Sequence, residues 1–513
     1  MIVAPAERPR LDRAGVVTLA ALIVLLHIAT NLLTVYEFHR DELLYLAMGK
    51  HLRLWRMDFP PGIALIANGS RALFGDSLTA IRAFPALTHG ATALLATLIA
   101  RELGGGAVAQ RVSVLAVALS PLFLRSGGML QPVVFDQFWW TLALYFLIRL
   151  CSTDDGRWWI AVGAALGLGM LTKFSIGFIG LPIVVATVLT PQRRWLATRW
   201  PWVALLVALA ICAPAIVGQV LLGFPVRGQM DTVQGLQLAR MTYTMFLGEQ
   251  LLLGPAIVLA VAGVIAILFF KRWEAYRVVA LSCVGAFLLL LVLHGKSYYI
   301  GPIYPTLYAA GATALELGKM GAMRTSRIAL ATIVLLAFGA LILPLGIPIL
   351  PPEQMIAYTQ RLGIAKATQT NRGEQIELPQ DYADMLGWHD MAAAVAAIVE
   401  TMPPSERAEM VLVGDNYGEA GALEFYGPRF HLPPVINASG SFWFFGPGDR
   451  SGRIVVTLGV KHESLQRIYR DVQDAGYFDA KWLVSEEHNL PILIGRNPSM
   501  TLQQLWPSLA GRN

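Results

Sequence analysis

The sequence predicts a polytopic α-helical membrane protein with about 11 spans and a C-terminal extracytoplasmic α/β domain. Of its 513 residues, 55% are hydrophobic and only 14% are charged, whereas ordinary soluble domains contain roughly 25% charged residues. The mean hydropathy is +0.55. A helix that spans a bilayer needs roughly 20 mainly apolar residues, and such runs recur from Val16 to Leu350 but not after it.

Eleven apolar runs define the predicted spans, near residues 15–35, 79–100, 107–125, 135–150, 158–172, 175–190, 201–219, 250–270, 277–294, 300–316 and 327–349. Arg and Lys gather at the N-terminus and in alternate connections, which the positive-inside rule assigns to the cytoplasm. The first outer loop (36–78), Asp136, Lys173, the 220–249 loop and residues 294–299 then face outward. This distribution explains the net charge of +6, so the basic balance does not indicate a nucleic-acid partner.

Composition divides the chain into a transmembrane domain, residues 1–350, and a more charged tail without spans, residues 351–513. Turn signals in the tail separate short β-like stretches from helix-like ones. The β-like stretches lie at 410–413 and 453–458, and the helix-like ones at 388–401 and 462–475. This alternation is typical of a small α/β domain, and the predicted topology places it outside the cytoplasm.

Acidic side chains on the predicted outer face are the candidate catalytic groups. Asp41 and Glu42 follow the first span, and Asp136 lies among aromatic residues where the fourth span begins. Acidic side chains in or beside a span are costly unless they have a partner or a task. The structural alternative is helix capping, because carboxylates suit a helix N-terminus and aspartate is a good N-cap.

Cations on the same predicted face are the candidate ligands of an anion. Arg82 starts the second span, Lys173 separates the fifth from the sixth, and Lys296 precedes Tyr298 and Tyr299. Three cations near three carboxylates suit an anionic ligand whose tail lies in lipid. A lipid phosphate fits this description, since Arg and Tyr donate well to its oxygens. The alternative for each cation is snorkelling to the headgroups.

The sequence gives little support for a metal or a cofactor. His39 and His294 are two lone histidines on the outer face, so a divalent metal is an unsupported alternative and we predict that none is required. The cysteines at 151, 212 and 283 lie far apart in or beside apolar runs, which favours neither a disulfide nor a zinc site.

Several short stretches of the membrane region form a series: FHRDELLYLAMGKHL at 38–52, DFPPG at 58–62, LFGDSLTAIRAFPAL at 73–87, LTKFS at 171–175 and YYIGPIYP at 298–305. In this order they resemble the family 39-type glycosyltransferases, which have the GT-C fold. That family includes protein O-mannosyltransferases and the aminoarabinose transferase that modifies lipid A. The resemblance covers roughly residues 36–310.

The resemblance implies an enzyme of the bacterial inner (cytoplasmic) membrane with a periplasmic C-terminal domain. It implies a hexosyl- or pentosyltransferase that takes a monosaccharide from a polyprenyl-phosphate donor. The acceptor is then an extracytoplasmic glycolipid, polysaccharide or protein.

The same resemblance assigns site residues. Asp41 corresponds to the catalytic acid of the first outer loop, Glu42 lies beside it, and Asp136 matches the second acidic position. Glu42 and Asp136 are expected to position the acceptor or the sugar, or to hold Arg82 and Lys173 in place. The predicted donor-binding residues are Tyr45, Asp58, Arg82, Lys173, Lys296, Tyr298 and Tyr299.

The chemistry of glycosyl transfer suggests how these residues act. A lipid phosphate is a good leaving group that needs only cations to hold its growing charge, a role for Arg82 with Lys296 or Lys173. The acceptor hydroxyl is a poor nucleophile, so a carboxylate, expected to be Asp41, takes its proton. A single displacement of this kind inverts the anomeric centre.

Two departures from the family limit the substrate assignment. In the aminoarabinose branch a Lys that contacts phosphate precedes the paired prolines, but Phe59 holds that place here. This argues against aminoarabinose transfer to lipid A. The tail, with NYGEAGALEFYG at 416–427, does not resemble the β-trefoil insert of eukaryotic O-mannosyltransferases.

A transporter or flippase of a lipid-linked sugar is the alternative function. Transporters commonly have repeated halves and polar groups near the bilayer midplane. In this sequence the polar groups gather at the outer face and no halves match, which favours the enzyme.

Overall fold

A computed structural model describes the chain in five stretches: residues 8–236, 238–318, 323–364, 368–370 and 373–510. Each of the eleven predicted runs contains a helix. Within the described stretches, six helices are long and apolar enough to cross a membrane, and three bent helix pairs raise the number to as many as nine. The other two runs form helices of 15 and 14 residues, Trp158–Thr172 and Tyr304–Leu317. The polytopic helical fold is confirmed.

The helices before the tail are, in chain order, Arg13–Leu33, Arg40–Lys50, Gly62–Phe74, Leu78–Ile81, Ala83–Glu102, Ala107–Ala118, Pro121–Gly127, Pro132–Thr153, Trp158–Thr172, Gly177–Leu189, Trp200–Leu221, Pro225–Leu236, Tyr243–Gln250, Ala256–Phe269, Arg277–Val292, Tyr304–Leu317 and Met323–Gly346. The third run is broken: its two helices meet at 66°. The break falls just before Pro121, because proline has no N–H with which to continue the preceding helix.

The first outer loop contains a helix, Arg40–Lys50, that carries the predicted acidic pair. A reciprocal capping box starts this helix. His39 Nδ1 accepts the Asp41 N–H at 3.1 Å, and the Glu42 carboxylate accepts the His39 N–H at 2.8 Å. Both carboxylates therefore lie in the first helical turn, where the helix dipole favours negative charge. The capping interpretation holds for Glu42.

The tail contains a five-stranded sheet in the order β2-β1-β3-β5-β4. Its strands are β1 Val411–Gly414, β2 Val435–Ile436, β3 Ile454–Leu458, β4 Tyr469–Phe478 and β5 Leu490–Pro498. β1 runs parallel to β2 and β3, whereas β5 runs antiparallel to β3 and β4. The helices of the tail are Pro352–Leu362, Gln380–Ala383, Trp388–Thr401, Pro404–Glu409, Tyr417–Tyr426, Gly440–Phe445, His462–Gln466 and Leu502–Leu505.

The predicted elements of the tail are mostly confirmed. The structure has strands at both β-like stretches and a helix at 388–401. The predicted helix at 462–475 is wrong, because the helix ends at Gln466 and β4 begins at Tyr469. β4 has β5 as its neighbour, and this pairing satisfies the backbone of a polar stretch that lacks clear β periodicity.

The C-terminal sheet domain shares an apolar core with the first outer loop. Leu43 and Leu46 of the loop helix are buried in one cluster with Leu423 and Trp388 of the tail. A side-chain carbon added at Gly421 would lie 2.9 Å from the Leu43 Cβ, so glycine permits the close approach of the two helices. This packing holds the tail against the residues that surround Asp41.

Candidate active site

A polar cavity of about 470 Å³ opens where the first outer loop, the membrane helices and the C-terminal domain meet. Three distant parts of the chain form its walls. Its polar lining includes His39, Arg40 and Asp41 from the loop; Arg125, Ser126, Gln131, Lys296 and Tyr298 from the membrane region; and Gln380, Asp381, Asp384, Tyr417, Ser485 and Glu486 from the tail.

Asp41 is the predicted catalytic residue that the structure places at this cavity. Its side chain is 32% exposed. The Tyr417 hydroxyl donates to Oδ1 at 2.9 Å, and the Gln131 amide donates to Oδ2 at 3.2 Å. A carboxylate held by two donors but open to solvent is suited to accept a proton from a bound hydroxyl group.

Glu42 occupies a different environment from its neighbour. Its side chain is fully buried and forms an ion pair with the buried Arg82 guanidinium, with Nη2 2.6 Å from Oε2. The backbone N–H groups of His39 and Leu130 also donate to its two oxygens, at 2.8 and 2.7 Å. Glu42 therefore holds Arg82 in place, which is the second of the two roles expected for it, and does not reach the cavity.

Arg82, the partner of Glu42, also lies outside the lining of the cavity. Besides Glu42, its guanidinium donates to the Asn31 side chain at 3.1 Å and to the Glu37 carbonyl oxygen at 3.0 Å. Its side chain is 0% exposed. The structure thus places the Arg82 guanidinium away from the cavity, and its donor-binding role stays a prediction.

Asp136 is buried in the helix Pro132–Thr153 and lies outside the lining of the cavity. It accepts hydrogen bonds from Trp140 Nε1 at 2.9 Å and from the Ser175 hydroxyl at 2.7 Å. The N-cap interpretation is wrong, since Gln131 is the N-cap of this helix. Asp136 instead fixes the position of the segment that follows Lys173.

Two ammonium groups flank a pair of tyrosines, and one of each, Lys296 and Tyr298, lines the cavity. Lys173 Nζ lies 4.6 Å from the Tyr299 ring centroid, and Lys296 Nζ lies 5.7 Å from the Tyr298 ring centroid. Burial lowers the pKa of Lys296 from its usual value, and the charge of Lys173 adds to this effect. Among the described residues neither ammonium forms a close ion pair, but Lys173 interacts electrostatically with Asp136 and Lys296 with Asp41.

Tyr45 belongs to the same group of residues. Burial raises the pKa of its phenol well above the usual range, and the Asp41 and Tyr299 side chains contribute in the same direction. Its ring lies 6.1 Å from the Phe59 ring. The structure thus brings together five of the predicted donor-binding residues near Asp41: Tyr45, Lys173, Lys296, Tyr298 and Tyr299.

Asp58 also lies away from the cavity, so its donor-binding role stays a prediction. Its side chain is buried, and its Oδ2 accepts hydrogen bonds from the Ser441 hydroxyl at 2.7 Å and the Gln229 amide at 3.2 Å. Burial raises the pKa of Asp58 to about 6. This carboxyl connects the first outer loop to the C-terminal domain and does not line the cavity.

Three side chains at the cavity have ligand atoms close enough for a metal ion: His39, Asp381 and Asp384, within 4.8 Å of one another. However, His39 Nδ1 accepts the Asp41 N–H, so the neutral ring carries its proton on Nε2. That nitrogen then has no lone pair for a metal. His294 lies apart, with its ring 4.6 Å from the Tyr243 ring. The cluster fits a metal poorly, and the absence of a metal requirement stays a prediction.

Sequence reasoning missed several residues of the site. Arg40, Arg125, Gln131, Asp384 and Tyr417 line the cavity but were not singled out. Their role depends on contacts across the fold, and none of them lies in a spacing pattern that marks chemistry. Two of them lie in stretches that already stood out, Arg40 in FHRDELLYLAMGKHL and Tyr417 in NYGEAGALEFYG.

The membrane region also contains an apolar groove of about 350 Å³. Its lining includes Leu247, Leu251, Val261, Phe287, Ile303 and Leu307. Residues 296–304 contribute to both spaces, because Lys296 and Tyr298 line the polar cavity while Ile303 and Tyr304 line the groove. The two spaces together suit a ligand with an anionic head and an apolar tail.

Sequence comparison connects the membrane region to known enzymes. Residues 58–217 match the family model described as dolichyl-phosphate-mannose-protein mannosyltransferase. An undecaprenyl phosphate-alpha-4-amino-4-deoxy-L-arabinose arabinosyl transferase of Pseudomonas fluorescens Pf-5 is 35% identical over 141 residues, which are 26% of this chain and 24% of that protein. The Pseudomonas aeruginosa UCBPP-PA14 enzyme of the same name is 31% identical over 159 residues, 30% of this chain and 29% of that protein. The matches thus span less than a third of these relatives.

Structural comparison covers nearly the whole chain. ArnT from Cupriavidus metallidurans, bound to undecaprenyl phosphate, superposes with a TM-score of 0.60 at 15% identity over 94% of this chain and 98% of that chain. The chain therefore has the GT-C fold. The archaeal oligosaccharyltransferase AglB from Archaeoglobus fulgidus gives a TM-score of 0.51 at 12% identity over 87% of this chain and 69% of that chain.

Breaking the buried ion pair of this GT-C protein should destabilise it strongly. Arg82→Met leaves Glu42 charged and unpaired in the interior, so we expect the free energy of unfolding to fall by about 3–5 kcal/mol. The measurement is denaturation of the detergent-solubilised protein. Arg71→Met breaks an exposed pair with Asp76 and should cost about 1 kcal/mol or less. Equal losses in the two variants would contradict the structural role of Arg82.

The raised pKa of Asp58 predicts a pH-dependent stability. The pKa is about 6 in the folded protein and 3.8 for an ordinary aspartate, so the folded state holds a proton that the unfolded chain releases between these values. Stability from this group therefore falls as pH rises through that window and stays low above it. Relative to the parent protein, the free energy of unfolding of Asp58→Asn should therefore rise by up to about 3 kcal/mol across the window.

Unfolding of Asp58→Asn and the parent protein from pH 4 to pH 7 measures this difference. Asp449→Asn, at an exposed position of the C-terminal domain, is the control and should show a constant difference. A constant difference for Asp58→Asn as well would show that the buried carboxyl does not retain its proton.

Proposed function

We propose that this protein is a glycosyltransferase that moves a monosaccharide from a polyprenyl-phosphate donor to an extracytoplasmic acceptor. One observation carries the proposal. The partly exposed Asp41 carboxylate and the Lys296 ammonium line one polar cavity, and residues 296–304 contribute both to that cavity and to an apolar groove. A polyprenyl-phosphate sugar has the matching parts: a sugar, an anion and a long apolar tail.

In this proposal the phosphate binds beside Lys173 and Lys296. Both ammonium groups lie against the Tyr298 ring, at 5.6 and 5.7 Å from its centroid. Two partly buried positive charges at this position stabilise the charge that grows on the leaving phosphate. They take over the role that sequence analysis gave to Arg82. The polyprenyl tail would lie along the apolar groove.

The reaction is a single displacement in which Asp41 takes the proton of the acceptor hydroxyl as that hydroxyl attacks the anomeric carbon. The bond from that carbon to the phosphate oxygen breaks, and the configuration inverts. The leaving phosphate needs no proton near neutral pH, and no metal or nucleotide is required. Asp136 accepts a hydrogen bond from the Ser175 hydroxyl at 2.7 Å and in this way holds the segment that carries Lys173.

The relatives and one departure from them support a proposal for the donor and the acceptor. ArnT binds undecaprenyl phosphate, which favours this carrier in a bacterial inner membrane. Phe59 stands where the aminoarabinose branch has a Lys, so we propose another hexose or pentose as the sugar. The C-terminal domain, proposed to be periplasmic, forms the side of the cavity where a glycolipid, polysaccharide or protein acceptor enters.

Asp41→Asn should abolish most of the transfer activity. Loss of a positioned general base lowers kcat by about 100- to 10,000-fold, while binding of undecaprenyl phosphate should stay within about twofold, since the carboxylate makes no attractive contact with the phosphate. Transfer is measured from a radiolabelled polyprenyl-phosphate hexose and pentose panel to membrane-extract acceptors.

Asp76→Asn, an exposed carboxylate of the same outer loop, is the control and should retain full activity. Equal transfer by Asp41→Asn and the parent protein would remove Asp41 from the mechanism and direct attention to Asp136. A parent protein that binds the lipid but turns over no donor would favour a flippase.

Lys173→Met and Lys296→Met should each weaken binding of undecaprenyl phosphate by about tenfold, because each removes one charged contact to the phosphate. Equilibrium binding of the fluorescently labelled lipid to the purified protein is the measurement. Lys50→Met changes an exposed ammonium that pairs with Glu424 and should bind as the parent does. Unchanged affinity in both test variants would place the phosphate elsewhere.

A further inference from the structure

The C-terminal domain places one of its side chains directly on the candidate base. We propose that Tyr417 is a positioning residue for the transfer reaction: its hydroxyl holds the Asp41 carboxylate in the orientation that accepts the acceptor proton. This inference rests on the proposed function and extends it, because it makes the C-terminal domain a part of the active site.

The hydrogen bonds around Tyr417 fix the direction of its proton. Arg40 Nε lies 3.1 Å from the Tyr417 oxygen, and the Tyr417 oxygen lies 2.9 Å from Asp41 Oδ1. A guanidinium can only donate, so the phenol oxygen must accept from Arg40. Its single proton is therefore directed at Asp41. A charged donor behind the phenol also strengthens the bond in front of it.

Tyr417 remains a donor at all working pH values. It lies between the loop helix and the C-terminal domain, and partial burial raises the pKa of its phenol above the usual range. The negative charge of Asp41 acts in the same direction. The hydroxyl thus keeps its proton when the carboxylate is ionised and ready to act as a base.

The two partners stand on rigid supports. Tyr417 is the first residue of the helix Tyr417–Tyr426, which Asn416 caps with hydrogen bonds to the N–H groups of Gly418 and Glu419. This helix packs on the helix of Asp41, where the Gly421 backbone lies against Leu43. Packing of this kind fixes the spacing of the two side chains more firmly than a loop would.

Arg40 anchors the arrangement in the C-terminal domain. Its guanidinium forms an ion pair with Glu486 and lies 3.8 Å from carboxylate oxygens of Asp384 and Glu487. On the other side, Gln131 donates to the second Asp41 oxygen at 3.2 Å. Two donors from different parts of the chain therefore set the plane of the Asp41 carboxylate. Its remaining lone pairs are free to face the cavity that Asp41 lines.

The test is Tyr417→Phe in the full-length protein, which keeps the ring and removes only the hydroxyl. With the undecaprenyl-phosphate sugar that the parent turns over, we expect kcat to fall about 10- to 100-fold and the donor KM to stay within about twofold. The acidic limb of the kcat–pH profile should move to higher pH, because the carboxylate has lost a hydrogen bond that favours its charged form.

Tyr469→Phe is the matched control. It removes another buried hydroxyl of the C-terminal domain, which donates to the Gly452 carbonyl oxygen at 2.9 Å, and it leaves Asp41 untouched. Thermal unfolding of both variants separates loss of folding from loss of positioning. We expect similar losses of stability but an altered pH profile only in Tyr417→Phe.

The inference would be overturned if both variants lost kcat in proportion to their loss of thermal stability and neither showed a shifted pH profile. So would a further loss of activity when Tyr417→Phe is added to Asp41→Asn, because a positioning residue has no effect once its target is gone. A parent protein without any transferase activity would overturn the proposed function instead, and an active parent with an unaltered Tyr417→Phe would overturn this inference alone.

Discussion

The ion pair between Glu42 and Arg82 holds the first outer loop against the membrane helices. Both side chains are fully buried, and two charges are stable away from water only when hydrogen bonds replace their hydration. Here Arg82 and two backbone N–H groups donate to the carboxylate, while the guanidinium also reaches Asn31 and the backbone of Glu37. Successive residues of a helix point about 100° apart, so the burial of Glu42 directs Asp41 toward the cavity.

Environment gives chemically similar side chains different tasks in this site. Glu42 is enclosed and serves structure, whereas Asp41 is partly exposed and held by neutral donors, which leaves it able to accept a proton. The cations divide in the same way. Arg82 forms an ion pair with Glu42, whereas Lys173 and Lys296 lie against tyrosine rings. In the proposed function these two ammonium groups bind the phosphate. A ring face attracts an ammonium without neutralising it.

The C-terminal domain shapes the site as much as the membrane helices do. Its helix Tyr417–Tyr426 and the loop helix Arg40–Lys50 bury their apolar faces in one core. The tail residues Asp381, Asp384 and Glu486 then line the same cavity as Asp41. The predicted boundary after residue 350 marks a change of composition, but the packing crosses it, so the geometry of the cavity depends on both parts of the chain.

The sequence by itself determined the helical runs, two of the five strands of the tail and the side chains that gather at one end of the bundle, including Asp41, Lys296 and Tyr298. Apolar runs and charge distribution are local properties, which is why they were sufficient. Only the tertiary structure decided that Glu42 and Arg82 are buried together, that residues 469–478 form a strand, and that Tyr417 contacts Asp41 across 376 positions. These outcomes depend on what each residue meets after folding, and no local pattern records a partner that distant.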